Sequence, residues 1–309
     1  MTSHRQFLCV LCVSAFSLFG CPSIGCATER TRVFPARSLV PTAAAPAAAT
    51  QPTREFHLHL NGIGGYRAID HGLISGLRDG GYGGEIKAYD WTGRDAGLAA
   101  LTVRKRHREQ AARVAKMLLE EWRTHPGTRI TVTAHSAGAG IITWALEQLP
   151  PDVMIESLIM LAPALSPSYD LSRALRHVRG KVFVFSSPYD SAVLGMGTKM
   201  FGTVDGPKVE ASGKVGFTRP ASADVELYAK LVPAPYQTAW AALGNIGDHI
   251  GAMERPFARE VLAAVLLRGE VPAIEREAAP LTTPPPPATV PAAAARAATT
   301  APATPAPLP

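Results

Sequence analysis

The sequence predicts an α/β protein with a mostly parallel central β-sheet that is covered by helices on both faces. Along residues 54–273, short runs rich in β-branched residues alternate with segments of helical periodicity, which is the pattern of parallel strands joined by crossover helices. The run at 157–162, SLIMLA, is continuously apolar, as a strand buried on both faces of a sheet should be. No large inserted cap domain is evident in this alternation.

The spacing of the apolar residues places the individual elements. Alternating or continuous apolar runs predict strands at 55–60, 85–91, 129–135, 157–162 and 181–186. Apolar residues spaced three and four apart predict helices at 69–77, 98–122, 137–149, 171–177 and 256–267. Each predicted strand is therefore followed by a predicted helix, as a parallel sheet requires.

The two ends of the chain differ in composition from this folded region. Residues 27–53, with the run PTAAAPAAATQP, and residues 274–309 are rich in Ala, Pro and Thr and carry few large apolar side chains. Such segments cannot bury enough apolar surface to offset the loss of chain entropy on folding. We therefore expect a flexible linker and a disordered tail around one folded domain at 54–273, which is long enough for a single well-buried core.

The first 26 residues have the features of a targeting signal. A short cationic start at Arg5 precedes an apolar run at 7–19 that is too short to span a bilayer as a helix. Leu18-Phe-Gly-Cys21 resembles the bacterial lipoprotein signal, in which the cysteine is lipidated and becomes the mature N-terminus. The resemblance implies a membrane anchor at Cys21 and a cell-envelope location, and the alternative is ordinary secretion after cleavage behind Ala27.

The cysteines and charges exclude some classes of protein. All cysteines fall within the signal, so the folded domain needs no disulfide even in an oxidising compartment. The chain carries a formal net charge of +6, but residues 54–273 hold 25 basic against 22 acidic side chains, a net charge of +3 that is no nucleic-acid signature. The basic run at 104–108 is best explained as a solvated helix face, with a phosphate or lipid-headgroup site as the alternative.

One strand-to-helix turn carries the clearest functional signal. The predicted strand Arg129–His135 runs into Ser136, with Ala134 two positions before it and Gly138 two after. A serine exposed on such a turn needs small neighbours at these positions because strand and helix cross at close range. The turn also places the serine at a helix N-terminus, where backbone N–H groups can stabilise an oxyanion. This pattern predicts a nucleophile for acyl-group chemistry, and an ordinary strand–helix loop is the alternative.

The order of elements from residue 55 to about 267 resembles the α/β-hydrolase family, and His135-Ser136-Ala137-Gly138 looks like the nucleophile turn of its lipases and esterases. Family members present the serine, the acid and the histidine in that chain order. The resemblance therefore implies Asp190, which follows the predicted strand at 181–186, as the acid. His249, shortly before the last helix, is then the base.

These residue types suit the chemistry. Neutral His249 could take the proton of the Ser136 hydroxyl, and Asp190 could orient the ring and stabilise its protonated form. Asp170 is the alternative acid. Asp248 adjoins His249 in sequence, is poorly placed to orient its ring, and is interpreted as a loop-stabilising residue.

Other histidines fit the role of base less well. His135 adjoins the nucleophile but points the other way along the chain. His57 and His59 share one face of a strand, and we interpret them as ordinary sheet surface rather than as a metal pair. The others lie in the signal, at a helix start, on charged helices or in a turn: His4, His71, His107, His177 and His125. No metal site is predicted.

The resemblance also implies two backbone donors for an oxyanion. One is the N–H of Ala137, directly after the nucleophile, and the other is the N–H of Ile63 in the glycine-rich loop after the first strand. Asn61 stands in that loop where the family commonly has a histidine, a change that affects loop support more than the donor. A phosphate-binding loop is the alternative, but the spacing is not G-x-G-x-x-G, and no organic cofactor is predicted.

The predicted function is that of a serine hydrolase that cleaves a small-molecule or lipid carboxylic ester through an acyl-enzyme. Thioesterases and amidases use the same machinery, so these reactions stay open. A second alternative is a non-catalytic, α/β-hydrolase-like binding protein anchored through Cys21.

Overall fold

The computed structural model describes residues 54–93, 103–190 and 198–274. The predicted signal with Cys21, the linker at 27–53 and nearly all of the predicted tail lie outside the described residues. Within the ranges described, no helix is both long enough and apolar enough to cross a bilayer.

The described residues contain a six-stranded sheet in which every pair of neighbouring strands is parallel. Its strands are β1 (Glu55–Leu60), β2 (Glu85–Tyr89), β3 (Arg129–His135), β4 (Ser157–Leu161), β5 (Val182–Ser186) and β6 (Leu231–Pro235). Their spatial order is β2-β1-β3-β4-β5-β6. Because all strands run the same way, the segments that follow them meet at one edge of the sheet, where ligands bind in such folds.

Helices cover both faces of this sheet. They are α1 (Ala68–Asp79), α2 (Arg104–Thr124), α3 (Gly138–Leu146), α4 (Ser172–Leu175), α5 (Thr198–Phe201), α6 (Ser212–Val215), α7 (Val225–Tyr228), α8 (Arg255–Phe257) and α9 (Ala263–Arg268). A π-helical turn, Ala258–Leu262, joins α8 to α9. Helices α2 and α3 pack together over one apolar core, whereas α1 packs with the α8–α9 segment over the other. The predicted α/β sheet with helices on both faces is thus confirmed.

Strand β6 is an element that the sequence does not predict, because two of its five residues are proline and proline has no N–H to donate. The Lys230 carbonyl accepts from the Val182 N–H at 2.9 Å. The Tyr236 N–H donates to the Ser186 carbonyl at 2.8 Å. The backbone N–H and C=O groups of the even-numbered residues therefore point towards β5. The backbone nitrogens of both prolines point to the outer edge of the sheet, where no donor is needed.

The interpretation of His57 and His59 as ordinary sheet surface is wrong, since both side chains are fully buried. They lie on the face that α1 covers, where His59 Nε2 lies 2.9 Å from Asp70 Oδ1 and His57 Nδ1 lies 2.8 Å from Thr131 Oγ1. Burial, with smaller contributions from His59 and Arg78, lowers the pKa of His57 to about 3. Within the described ranges, no group of three or more His, Cys, Asp or Glu side chains could hold a metal ion.

Candidate active site

The serine turn lies between β3 and α3. Ser136 has a φ of 53°, in the left-handed region that costs a non-glycine residue conformational energy. The surrounding backbone fixes this geometry, because the Ser136 N–H donates to the Leu161 carbonyl at 2.9 Å and its own carbonyl accepts from the Ala164 N–H at 3.1 Å. A Cβ at Gly138 would lie 2.6 Å from the Asn61 carbonyl oxygen, so only glycine permits this close crossing.

Ser136, His249 and Asp190 form one hydrogen-bonded chain although they are far apart in sequence. The Ser136 Oγ and His249 Nε2 atoms are 3.0 Å apart, and His249 Nδ1 lies 2.6 Å from Asp190 Oδ2. A carboxylate only accepts, so Nδ1 carries the proton and Nε2 is left to accept from the serine hydroxyl. The side chain of Asp190 is 2% exposed and that of His249 is 16% exposed, so the histidine is the more solvent-accessible member of the pair.

The other two carboxylates considered from the sequence have different partners. Asp170 Oδ1 accepts from the Ser172 N–H at 2.9 Å and from the Tyr228 hydroxyl at 3.0 Å. Hydrogen bonds from Ser172 lower the pKa of Asp170 below its usual value. Asp248 is exposed, and Asp190 takes the position beside the ring of His249.

His135 contacts His249, contrary to the expectation that it points the other way. Its ring lies 4.8 Å from that of His249, and its Nε2 donates to the His249 main-chain carbonyl at 2.9 Å. Burial, followed by the proximity of His249, lowers the pKa of His135 to about 3. The alternation of side chains along β3 could have suggested this, because the residue before a turn still faces one side of the sheet.

The two expected oxyanion donors lie on the segments that border Ser136. Ala137 follows the serine directly, and Ile63 lies in the loop after β1. A Cβ at Gly62 would lie 3.2 Å from Ser136 Cβ and 2.9 Å from His135 Nδ1, so this loop passes directly against Ser136. Among the described residues, no backbone carbonyl accepts from the N–H of Ala137 or of Ile63.

No protein-family model matches the chain, and no curated protein matches it by sequence. Among solved structures, it is similar to lipase B of Aspergillus fumigatus, with a TM-score of 0.46 and 13% identity over 73% of this chain and 54% of the lipase. The chain thus spans about half the length of that lipase.

Two further structures show similar values. A dienelactone hydrolase of Anabaena variabilis has a TM-score of 0.38 and 16% identity, over 70% of this chain and 84% of the hydrolase. A CIB-like hydrolase of Thermoplasma acidophilum has a TM-score of 0.38 and 17% identity, over 72% of this chain and 89% of the other.

With Ser136 after β3, Asp190 after β5 and His249 after β6 of an all-parallel sheet, the chain has the α/β-hydrolase fold.

Proposed function

We propose that this protein is a serine hydrolase that cleaves carboxylic esters through an acyl-enzyme. The observation that carries the proposal is the hydrogen-bonded chain from Ser136 Oγ through His249 to Asp190, with contacts of 3.0 and 2.6 Å. A serine hydroxyl is a weak nucleophile, and a neutral imidazole within hydrogen-bond reach is the group that activates it. The strained turn at Ser136 supports the same function, since backbone strain of this kind concentrates at active sites.

The first half of the reaction acylates the serine. Ser136 Oγ attacks the ester carbonyl carbon while His249 Nε2 takes the hydroxyl proton, and Asp190 stabilises the resulting imidazolium. The carbonyl oxygen becomes an oxyanion that accepts hydrogen bonds from the N–H groups of Ala137 and Ile63. When the C–O bond breaks, the imidazolium gives its proton to the departing alkoxide, and the alcohol leaves.

The second half releases the acid. Water attacks the acyl-enzyme carbonyl, His249 takes one proton of that water, and the same two N–H groups bind the second oxyanion. The proton then passes to Ser136 Oγ as the carboxylic acid departs, which restores the free enzyme. Thioesters and amides enter by the same steps with a thiolate or an amine as the leaving group.

Covalent labelling tests this proposal. We expect a fluorophosphonate probe to modify the full-length protein at Ser136 and the Ser136→Ala variant to remain unlabelled. Ser157→Ala is the matched control, because Ser157, like Ser136, is a buried serine. It lies on β4, and its hydroxyl has no hydrogen-bond partner among the described residues.

Two results would contradict the proposal. Labelling that persists in Ser136→Ala would place the nucleophile elsewhere, and a wild-type protein that is neither labelled nor active on nitrophenyl esters would favour the non-catalytic binding protein. A panel of matched ester, thioester and amide substrates then distinguishes the leaving-group classes by their kcat/KM values.

We also propose that the protein is anchored to a membrane of the cell envelope through a lipid on Cys21. The support is the run Leu18-Phe-Gly-Cys21 ahead of an Ala/Pro-rich segment. Acyl chains supply membrane affinity at about 0.8 kcal/mol per buried methylene, and two or more chains make the attachment lasting. Intact-mass measurement of the protein isolated from membranes should show a lipidated N-terminus at Cys21. Cys26→Ser should leave this unchanged, whereas an unmodified N-terminus at Thr28 would show ordinary secretion.

A further inference from the structure

The loop that carries Ile63 is hydrogen-bonded to a carboxylate from the neighbouring strand. Asp90 follows β2 directly, and its Oδ1 accepts from Asn61 Nδ2 at 3.3 Å. Its Oδ2 accepts from the Tyr66 N–H, also at 3.3 Å. Asp90 therefore contacts the loop on both sides of Ile63.

Asp90 is itself held in place by hydrogen bonds from Thr92, two residues further along the chain. Its Oδ1 accepts from the Thr92 N–H at 2.9 Å and from the Thr92 hydroxyl at 2.6 Å. Burial raises the pKa of Asp90, but the hydrogen bonds from Thr92, Tyr66 and Asn61 outweigh it and hold the pKa below its usual value. The carboxylate is therefore charged at neutral pH and accepts from all of these donors.

The next residue adds a second contact to the same loop. Trp91 Nε1 donates to the Asn61 carbonyl at 2.6 Å, and both residues are buried. Between Asn61 and Tyr66, the loop turns tightly, because the Gly65 N–H donates to the Gly62 carbonyl at 3.3 Å and Gly65 has a φ of 74°. A segment with glycine at three of the four positions 62–65 has little stiffness of its own.

We propose that Asp90 is a positioning residue, which holds the loop at Asn61 and Tyr66 so that the Ile63 N–H is fixed where the oxyanion forms. This inference rests on the proposed function. Preorganised donors stabilise the transition state because they need not reorient during the reaction. The glycine-rich loop cannot hold the Ile63 N–H in a fixed position by itself. Asp90, at the end of β2, holds the loop through its hydrogen bonds with Asn61 and Tyr66.

The charge state of Asp90 is essential to this arrangement. A carboxylate offers only acceptors, and every group that faces it from Asn61, Tyr66 and Thr92 is a donor. Asp90→Asn keeps the size of the side chain but turns one oxygen into an NH₂ group, which faces another donor. The substitution should loosen the loop without creating a cavity.

Asp170→Asn is the matched control. Asp170 also accepts from a backbone N–H two residues ahead, that of Ser172 at 2.9 Å, and its pKa is also lowered by hydrogen bonds. It is bonded to Tyr228 rather than to the oxyanion loop. A general effect of losing such a carboxylate should therefore appear equally in both variants.

For Asp90→Asn, we expect kcat on a nitrophenyl ester to fall roughly 10- to 100-fold, since a small displacement of a transition-state donor is enough for this. KM should stay within about twofold, because the ground-state ester does not need the donor. The acid limb of the kcat/KM profile, which reports the base, should stay in place. Hydrogen exchange of the amides at 61–66 should accelerate by a similar factor. Asp170→Asn should change none of these.

The outcomes separate this inference from the proposed function. If wild-type protein is labelled by a fluorophosphonate but Asp90→Asn matches Asp170→Asn in kcat and in loop exchange, the positioning role is overturned alone. A wild-type protein that no fluorophosphonate labels would overturn both.

A double-mutant cycle that combines Asp90→Asn with Asn61→Ala gives a further test. If the two residues act as one unit, the double variant should lose less activity than the sum of the losses in the two single variants. Additive losses would contradict the link between Asp90 and Asn61.

Discussion

The ring of His135 lies 4.8 Å from the ring of His249, and His135 Nε2 donates to the main-chain carbonyl of His249 at 2.9 Å. The residue before the proposed nucleophile thus fixes the backbone of the proposed base. Because its pKa is lowered to about 3, His135 stays neutral at neutral pH. In the proposed reaction, His249 can therefore become positively charged without a second charged ring beside it.

Replacement of His135 should reduce turnover according to whether the donor is kept. We expect His135→Leu to lower kcat on a nitrophenyl ester by about 10- to 100-fold, because the His249 carbonyl loses its donor and the base is displaced. His135→Gln, which can place an amide N–H near the Nε2 position, should recover most of that loss. His57→Gln is the control, since His57 is a buried histidine on the same face of the sheet. Equal losses in the Leu and Gln variants would contradict this role.

His57 and His135, two of the buried histidines, should also make the fold sensitive to acid. Both have folded-state pKa values lowered from 6.5 to about 3, so the unfolded chain binds more protons between those limits. Stability is then full above about pH 6.5 and declines as the pH falls towards 3. Between pH 7 and pH 5 the free energy of unfolding should fall by roughly 2 kcal/mol for each histidine.

Urea unfolding at several pH values measures this effect. His57→Gln should remove one histidine's share of the decline, and the exposed His71 offers the control substitution His71→Gln, which should leave the slope as it is. An unchanged slope in His57→Gln would mean that the histidine ionises in the folded protein.

Gly62 should be required for activity. A Cβ there would lie 2.9 Å from His135 Nδ1 and 3.2 Å from Ser136 Cβ, so Gly62→Val should displace the loop that carries Ile63. Loss of one oxyanion donor typically lowers turnover about 100- to 1,000-fold. At Gly83, an added Cβ would have no neighbour within 4 Å among the described residues, so Gly83→Val should keep normal kcat. Undiminished esterase activity in Gly62→Val would reject the assignment of this loop.

Gly138 should contribute to the stability of the fold, in contrast to a second helical glycine. Gly138→Ala would bring a Cβ to 2.6 Å from the backbone oxygen of Asn61, and backbone cannot move aside as a flexible side chain can. We expect a loss of about 1–3 kcal/mol in unfolding free energy. In α1, an added Cβ at Gly72 would meet only Arg255 Cβ, at 4.0 Å, so Gly72→Ala should be neutral or stabilising. Thermal and urea unfolding of both variants would show the contrast, and equal stabilities would contradict it.

The sequence predicts five of the six strands, because each carries an alternating or continuous apolar pattern that periodicity detects. It does not predict β6, since the rule that excludes proline from strands holds for inner strands and fails at an outer edge. The helix expected at 171–177 shortens to Ser172–Leu175, and that at 137–149 to Gly138–Leu146. Pattern alone does not say where helical hydrogen bonding stops.

In the candidate site, too, some residues can be predicted from the sequence and others cannot. Ser136 and Asp190 can be chosen from the sequence because each follows a predicted strand. His249 can be chosen because it lies shortly before the last predicted helix, in the chain order that the resemblance implies. Strand alternation can place His135 on one face of the sheet, but its contact with the His249 carbonyl and that of Asp90 with the Asn61 amide join residues distant in the chain, which the sequence does not show. The burial of His59 cannot be predicted for a related reason, since its partner Asp70 lies on a different element.

The outward-facing prolines of β6 have a consequence for how copies of this protein meet. An edge strand with free N–H and C=O groups can pair with a strand of another molecule and extend the sheet between them. Pro233 and Pro235 remove two amide donors from one edge of this sheet, while exposed Lys87 places a charge on β2 at the other. If the domain is crowded on a membrane surface, neighbouring copies can touch at these edges without joining into a common sheet.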